Sequence, residues 1–569
     1  MDELERLSIE LKQFLVKFDK RHVLGLFTQL LETSSLGTAN DEIEKLSSPM
    51  RQLYYLAGLL MTSAQNGNVV NYTEEDWLFI VDHLNAIEAE YLKIFFPKNE
   101  TEITDDWKKK REVAMPSFLS YFNQGPLNFE EQAISWISEL YKTMDTIIES
   151  EIDLRTSDFL LFYDNLDKWC EGNLQSLSSQ DITQIRPNWQ DYTNLQLSII
   201  DEAPDEIKTL GYSKLPMYAL VADYGIKNRF KASDLVDEQL SLNKVEQILA
   251  LLSFKAADSD YLYYTSTANH LFRFPIVDLE DGLYQVFEIK QVLHSIDAYL
   301  ENLCCTTEKN KTKYIKEKGQ LLENNIVSLF KAVFGNYIKC YTSYYIDGCE
   351  QDILILWKDK AFIIEAKAYN IKEPFRNPEQ AYTRIQQDFN RSIGYAYKQT
   401  WRVAEKFSKQ EPLVIMDEYG NIIDTIDTTK YIDGDFSIIV TQKSFGQIQA
   451  DLTFMLELQE GGCYPWVIKY DDLDVFLRTL KSMHKKPKFF IDFLIDREYL
   501  HGHVICSDEL QICGGYLTGK ITSDICQEDA LVYCSPDLAY VFDEQYRLGL
   551  GFKNERHWKE KHDNKTLFI

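Results

Sequence analysis

The first third of the chain carries apolar residues at helical spacing. In two long stretches they recur at every third or fourth position, which is the period of an amphipathic α-helix. These stretches are DWLFIVDHLNAIEAEYLKIFF and EEQAISWISELYKTMDTIIESEI. The alternation typical of a half-buried strand is rare before residue 186. The pattern therefore predicts a helical N-terminal domain over 1–185.

Beyond residue 185, strand and helix patterns are mixed. The segment 186–303 contains PIVDLEDGLYQVF, two strand-like runs around a turn, followed by a helical pattern. Between 304 and 445 a lysine-rich helix precedes apolar strands, a helical stretch from Pro378 to Lys409 and the strand FSIIVTQ. We therefore predict an α/β fold with a mixed α/β region over 186–303, a central domain over 304–445 and a smaller α+β accessory domain over 446–569.

The stretch EQDILILWKDKAFIIEAKAY, residues 350–369, is typical of a buried hairpin that nevertheless keeps three charges. If its turn centres on Lys358-Asp359, Asp352 on the first strand lies opposite Glu365 on the second. Lys367 lies two residues beyond Glu365 and therefore on the same face. The remaining positions of both faces are apolar, which predicts a sheet covered on both sides.

Two facing carboxylates in a partly buried site repel each other unless one is protonated or a cation lies between them. A divalent metal ion with oxygen ligands meets this requirement. Lys367 is then placed to orient a water molecule or to balance the charge of a phosphate. Carboxylates, metal and lysine together indicate phosphodiester hydrolysis.

The spacing Asp352, twelve residues, then Glu365-Ala366-Lys367 resembles the D…ExK signature of the PD-(D/E)XK nuclease superfamily, and it also resembles nuclease-related-domain and Mrr-type members. The resemblance covers 304–445. It implies a restriction-endonuclease-like mixed sheet flanked by helices. The residue patterns place a large α-helical region before this domain and a smaller α+β region after it. It also implies an acidic residue on the preceding helix, for which Glu323 is the candidate.

The resemblance also implies the roles of these residues. Asp352, Glu365 and Glu323 would hold Mg²⁺ or Mn²⁺, with the Ala366 carbonyl as a further ligand. Lys367 would assist the nucleophile. Many members place a glutamine on the helix after the core strands. Gln399 is the best candidate for that position, and Gln386 and Gln387 are weaker ones.

The uneven distribution of charged residues along the chain indicates where a polyanion could bind. The chain has 569 residues and a net charge of −29, yet 305–410 holds 18 Lys and Arg against 12 Asp and Glu. Four cations in this region, at helical offsets of 7, 14 and 18 residues, would form one stripe if their helix is continuous. They are Arg384, Arg391, Lys398 and Arg402. Nucleic acid is the expected partner of this stripe, and a solvated helix face is the alternative. Four neighbouring aromatic residues would either stack on bases or fill the core: Tyr382, Tyr395, Tyr397 and Trp401.

Two other clusters deserve comparison. Glu288-Ile289-Lys290 repeats the ExK pattern with Asp278 upstream, but no basic helix follows it. Near the C-terminus, histidines and cysteines lie close together without a standard zinc spacing, so small core residues are the alternative. They are His501, His503, Cys506, Cys513, Cys526 and Cys534.

The overall interpretation is a metal-dependent endonuclease that the resemblance assigns to DNA rather than RNA. Its scattered cysteines and the absence of a signal peptide or of a long apolar run predict a cytoplasmic protein without a membrane span. The acidic flanks suggest an effector gated by a regulatory protein or by a second copy, and bacterial antiviral defence is our hypothesis for its role. The alternative is a catalytically inactive nuclease fold that binds nucleic acid or proteins.

Overall fold

The computed structural model describes residues 2–35, 41–64, 72–123, 128–177, 224–257, 259–264, 269–368, 378–431, 434–522 and 531–556. The chain divides into two compact units. The first consists of Met1–Lys93 with Trp136–Lys311, and the second of Ile94–Ser135 with Thr312–Ile569. The four segments predicted from the sequence stay a prediction, because this division does not establish which parts fold independently.

The elements are numbered in chain order. The helices are α1 (Glu3–Leu15), α2 (Lys20–Ser35), α3 (Asp41–Glu44), α4 (Pro49–Met61), α5 (Glu74–Leu92), α6 (Asp105–Asn123), α7 (Glu130–Lys142), α8 (Asp145–Ile152), α9 (Thr156–Leu177), α10 (Leu242–Leu252), α11 (Ile289–Cys304), α12 (Glu308–Phe334), α13 (Pro378–Phe389), α14 (Tyr395–Ser408), α15 (Gln447–Ala450), α16 (Tyr470–Ser482), α17 (Pro487–Tyr499), α18 (Glu509–Leu517) and α19 (Tyr540–Leu548). Within the described ranges, none of them combines the length and the apolar character that crossing a bilayer requires.

The strands are β1 (Arg229–Lys231), β2 (Ser253–Lys255), β3 (Ile276–Asp278), β4 (Leu283–Val286), β5 (Lys339–Ile346), β6 (Cys349–Trp357), β7 (Lys360–Lys367), β8 (Leu413–Met416), β9 (Ile422–Ile426), β10 (Asp435–Thr441), β11 (Trp466–Lys469), β12 (Val504–Ile505) and β13 (Val532–Tyr533). They form a four-stranded sheet in the order β1-β4-β3-β2, a seven-stranded sheet in the order β11-β10-β7-β6-β5-β8-β9, and the pair β12-β13. The fold class is therefore mixed α/β.

The helices of the first unit follow from the apolar spacing. Helix α5 begins with a capping box, in which Thr73 and Asp76 bond each other's backbone N–H groups. Its residues at intervals of three and four are buried: Trp77, Ile80, Val81, Leu84, Ile87 and Tyr91. The described part of 1–177 contains helices α1 to α9, which confirms the helical prediction there.

The seven-stranded sheet positions the candidate site. Its centre is the meander β5-β6-β7, in which each neighbouring pair is antiparallel. Strand β10 runs parallel to β7, and β11 runs parallel to β10. The carboxyl ends of β7, β10 and β11 therefore meet at one edge of the sheet, where Lys367 lies beside Thr441.

Both faces of this sheet are covered, as the apolar strands predict. On one face, Leu354 and Ile363 pack with Val403 and Phe407 of α14. On the other face, Phe362 contacts Phe330 of α12, with ring centroids 5.3 Å apart. Asp352, Glu365 and Lys367 thus lie together at one end of β6 and β7, beyond the apolar middle of both strands.

A buried ion pair joins the helices that follow β11. Arg497 of α17 donates to both carboxylate oxygens of Glu509 of α18, at 2.7 and 2.9 Å. The two side chains are only 1% and 2% exposed. Trp466 of β11 also donates to Glu509, at 2.8 Å. This network fixes α17 and α18 against the sheet.

Candidate active site

The register of the β6–β7 hairpin brings Asp352 and Glu365 together. The paired residues run from Ile353 with Ile364 to Trp357 with Lys360, so the predicted register is confirmed. The backbone N–H of Asp352 donates to Glu365 Oε1 at 3.1 Å. The backbone N–H of Ala366 donates to Asp352 Oδ2 at 2.7 Å. Each carboxylate is therefore anchored to the opposite strand.

Lys367 connects the two carboxylates. Its Nζ donates to Glu365 Oε2 at 2.8 Å and to Asp352 Oδ2 at 3.3 Å. The side chain of Glu365 is 1% exposed, whereas those of Asp352 and Lys367 are 18% and 17% exposed. The site thus has one buried and one accessible carboxylate, with an ammonium group shared between them.

Burial controls the protonation of this site. The pKa of Glu365 is raised to about 8, chiefly by burial and next by the charge of Asp352, whereas Lys367 lowers it. Burial alone would lower the pKa of Lys367, but the two carboxylates outweigh it and the pKa is raised. Without a further cation, Glu365 is therefore mostly protonated at neutral pH while Lys367 keeps its charge.

Glu323 of α12 belongs to the same electrostatic environment. Burial and the neighbouring charge of Asp352 raise its pKa to about 7. Its Oε2 accepts a hydrogen bond from Ser343 Oγ at 3.4 Å. The β5–β6 register pairs Thr342 with Ile353 and Tyr344 with Gln351, so Ser343 lies opposite Asp352.

Ser343 also has an unusual backbone conformation. Its φ is +46°, in the left-handed region, although it lies inside strand β5. A non-glycine residue in this region carries strain, and such residues cluster at functional sites. The sequence does not reveal it, because serine is no favoured residue for that conformation.

Gln399 of α14 reaches the amino end of β6. Its Nε2 donates to the carbonyl of Glu350 at 3.4 Å, and its side chain is 7% exposed. Its Oε1 is buried without a hydrogen-bond partner among the described residues. The other candidates, Gln386 and Gln387, are exposed. Gln399 is thus the glutamine that lies at the site.

The oxygen donors of this site suit a hard divalent cation. Within the described residues, no group of three or more His, Cys, Asp or Glu side chains is arranged to hold a metal. A cation would therefore rest on Asp352 and Glu365, with Glu323 nearby rather than in the same group. The raised pKa of Glu365 fits this role, because a bound cation would favour the ionised carboxylate over the protonated one.

The basic stripe is only partly regular. The helical stretch predicted from Pro378 to Lys409 is confirmed as far as Ser408, but Asn390–Gly394, between α13 and α14, form a π-helical turn. A π turn changes the angle between residues before and after it. Arg384 therefore does not keep the predicted angular position relative to Lys398 and Arg402. Within α14, Lys398 is exposed and Arg402 half-buried.

The four aromatic candidates differ in how exposed their side chains are. Tyr397 is buried, and its hydroxyl accepts from the N–H of Gln459 at 3.1 Å. Tyr382 and Trp401 are partly buried against apolar clusters. Tyr395 is 57% exposed. Its ring centroid lies 5.8 Å from Lys367 Nζ.

The two rival clusters take other roles. Asp278 pairs with Tyr284 at the turn end of the β3–β4 ladder, whereas Glu288 follows the opposite end. Glu288 there accepts a hydrogen bond from the hydroxyl of Tyr54, so it does not face Asp278. Lys290 follows it in the first turn of α11.

The cysteines and histidines near the C-terminus form no zinc site among the described residues. Cys506 and Cys534 lie in an apolar cluster, and Cys513 is buried. His501 accepts from the N–H of Leu452 at 3.2 Å. The core-residue interpretation is therefore confirmed for these three cysteines, and Cys526 lies outside the described residues.

Comparison of the chain with protein-family models, with curated proteins and with solved structures finds no match. The function is therefore argued from the residues of this site.

Proposed function

We propose that the chain is a metal-dependent nuclease of the PD-(D/E)XK type, which hydrolyses phosphodiester bonds of nucleic acid, with DNA favoured by the resemblance. The observation that carries this proposal is the cluster of Asp352, Glu365 and Lys367 at one end of the sheet. Its hydrogen bonds span 2.7 to 3.3 Å and join two strands.

The surrounding architecture supports the proposal. Helix α12, which carries Glu323, precedes the three-stranded meander, and α14, which carries Gln399, follows it. The sheet is mixed and has helices on both faces. This is the arrangement that the resemblance implies, with an acidic residue on the preceding helix and a glutamine on the following one.

The roles follow from the chemistry of each group. A divalent cation between Asp352 and Glu365 would polarise a phosphate and acidify a water molecule. The ammonium group of Lys367 would orient that water and offset the negative charge that develops on the phosphate. Gln399 has an unpartnered side-chain oxygen among the described residues, which can accept a hydrogen bond from the same water.

A plasmid-cleavage assay with Mg²⁺ or Mn²⁺ tests this proposal. We expect Asp352→Asn and Lys367→Gln to reduce cleavage by at least about 100-fold, the usual effect of losing a group that handles charge or protons in the transition state. Matched controls come from the same hairpin. Asp359 is 68% exposed at its turn, and Lys358 precedes it, so Asp359→Asn and Lys358→Gln should cleave like wild type.

One observation favours a binding module without catalysis. Lys367 already donates to Asp352 at 3.3 Å and to Glu365 at 2.8 Å, so each carboxyl group has a cationic partner without a metal. Calorimetric titration with Mn²⁺ separates the alternatives. Binding that Asp352→Asn abolishes supports the nuclease, whereas a wild type that neither binds Mn²⁺ nor cleaves DNA or RNA supports the binding module.

A further inference from the structure

Helix α14 presents an exposed aromatic ring beside the candidate catalytic lysine. The side chain of Tyr395 is 57% exposed, and its ring centroid lies 5.8 Å from Lys367 Nζ. A single exposed tyrosine is ordinary on a protein surface. Its position over the ammonium group of the candidate active site is what makes this one informative.

The same face of α14 carries cations. Lys398 and Arg402 follow Tyr395 by three and seven residues, so the three side chains lie along one side of the helix. Neither cation forms an ion pair with any residue that the structure describes. By contrast, the next two lysines of the helix are neutralised, Lys406 by Glu411 at 3.1 Å and Lys409 by Glu405 at 2.8 Å. The face nearest the site thus keeps positive charge for an external anion.

An exposed aromatic ring with a candidate catalytic lysine on one side and unpaired cations on the other has the groups that bind a strand of nucleic acid. The cations would follow the phosphates, and the ring would stack on a base. In an intact duplex, each base is already stacked on both sides, so a protein ring can stack only on a base that is unpaired or flipped out. An exposed ring at this position would therefore bind unpaired nucleotides in preference to paired ones.

We propose that Tyr395 stacks on an unpaired base next to the scissile phosphate, and that the preferred substrate is single-stranded nucleic acid or an unpaired stretch within a duplex. This inference rests on the proposed nuclease function, because it places the base by reference to Lys367. It adds a substrate class and a specificity-determining residue to that function.

The test compares binding and cleavage on matched substrates. Fluorescently labelled oligonucleotides of one sequence, single-stranded and fully paired, are titrated with the full-length protein in EDTA and followed by fluorescence anisotropy. Cleavage of the same oligonucleotides is then measured with Mn²⁺. The variants are Tyr395→Phe, which keeps a ring, and Tyr395→Ala, which removes it. The control is Tyr419→Ala, because Tyr419 is 81% exposed in the turn between β8 and β9, and strands β6 and β5 separate β8 from β7 in the sheet.

We expect wild type and Tyr395→Phe to bind the single strand more tightly than the duplex. Tyr395→Ala should weaken single-strand binding about tenfold, within the range measured for one base–aromatic stack, and leave duplex binding unchanged. Tyr419→Ala should behave like wild type.

Different failures have different meanings. Equal binding of both substrates by wild type, or an unchanged single-strand preference in Tyr395→Ala, would overturn the inference. Equal loss of cleavage on both substrates, without a change in binding, would show that Tyr395 only positions Lys367 and would also overturn it. If the binding pattern is as expected but neither wild type nor any variant cleaves either substrate, the stacking role stands and the proposed catalysis fails.

Discussion

Replacing Glu365 by glutamine tests whether the buried carboxyl of the site is protonated. The side chain is 1% exposed, and its pKa rises from an ordinary value of 4.5 to about 8. Glutamine has the shape of the protonated acid but does not ionise. The variant should therefore resemble wild type at low pH and differ from it increasingly as the pH rises.

The sign of the effect follows from linkage. A group with a raised pKa binds its proton more tightly in the folded state than in the unfolded state. The stability from Glu365 is thus fully present below pH 4.5 and is lost as the pH rises through about 8. Between pH 5 and pH 8, wild type should lose about 3 kcal/mol relative to Glu365→Gln. If the 569-residue chain unfolds as one unit, that corresponds to a relative change of about 2–3 °C in Tm.

The assay is thermal unfolding in EDTA from pH 5 to pH 8, with Tm of the variant minus Tm of wild type plotted against pH. Subtraction removes the titration of other groups. Glu350→Gln is the comparison variant, because Glu350 is exposed on the neighbouring strand β6. A flat line for Glu365→Gln, or a fall with pH, would show that Glu365 is ionised and would refute the reasoning.

Three further outcomes are expected. Gly514→Ala should destabilise the protein in thermal unfolding although it removes a glycine from a helix, because the new Cβ would lie 2.0 Å from the carbonyl oxygen of Leu538. Gly319→Ala should instead stabilise the protein by about 0.5–1 kcal/mol in the same assay, because its new Cβ would have no atom within 4 Å. Arg497→Met should cost about 3–5 kcal/mol in thermal or denaturant unfolding, because it leaves Glu509 charged and buried, and Arg497→Met with Glu509→Leu should recover much of that loss. Lys398→Ala should lower the slope of log binding constant against log salt by about one when single-stranded DNA is titrated at several salt concentrations, whereas Lys409→Ala should leave it unchanged because Lys409 is already paired.

The sequence was most informative where the side-chain period is strict. Strand alternation allows few registers, so a turn at Lys358-Asp359 was enough to place Asp352 opposite Glu365. The same alternation predicted that both faces of the sheet are covered. Helical spacing likewise identified the helices in the described part of 1–177, although it merged α7 and α8, which are separate in the structure.

Features that depend on the backbone path were not predictable. The π turn at Asn390–Gly394 changes the phase of a helix whose sequence is compatible with a regular α-helix. The left-handed conformation of Ser343 could not be predicted either, because serine does not favour that region. Exposure also needed the structure, since the spacing of apolar residues could not separate Tyr395 from the buried Tyr397.

The bridge that Lys367 makes between Asp352 and Glu365 affects whether folding would depend on the proposed metal. Small zinc domains remain unfolded without their ion, because only the metal compensates their ligands. Here the polypeptide supplies its own counter-ion, at 2.8 and 3.3 Å from the two carboxylates. Under the proposed function, the chain would therefore not need its metal in order to fold. Removal of divalent cations would then stop cleavage without unfolding the protein.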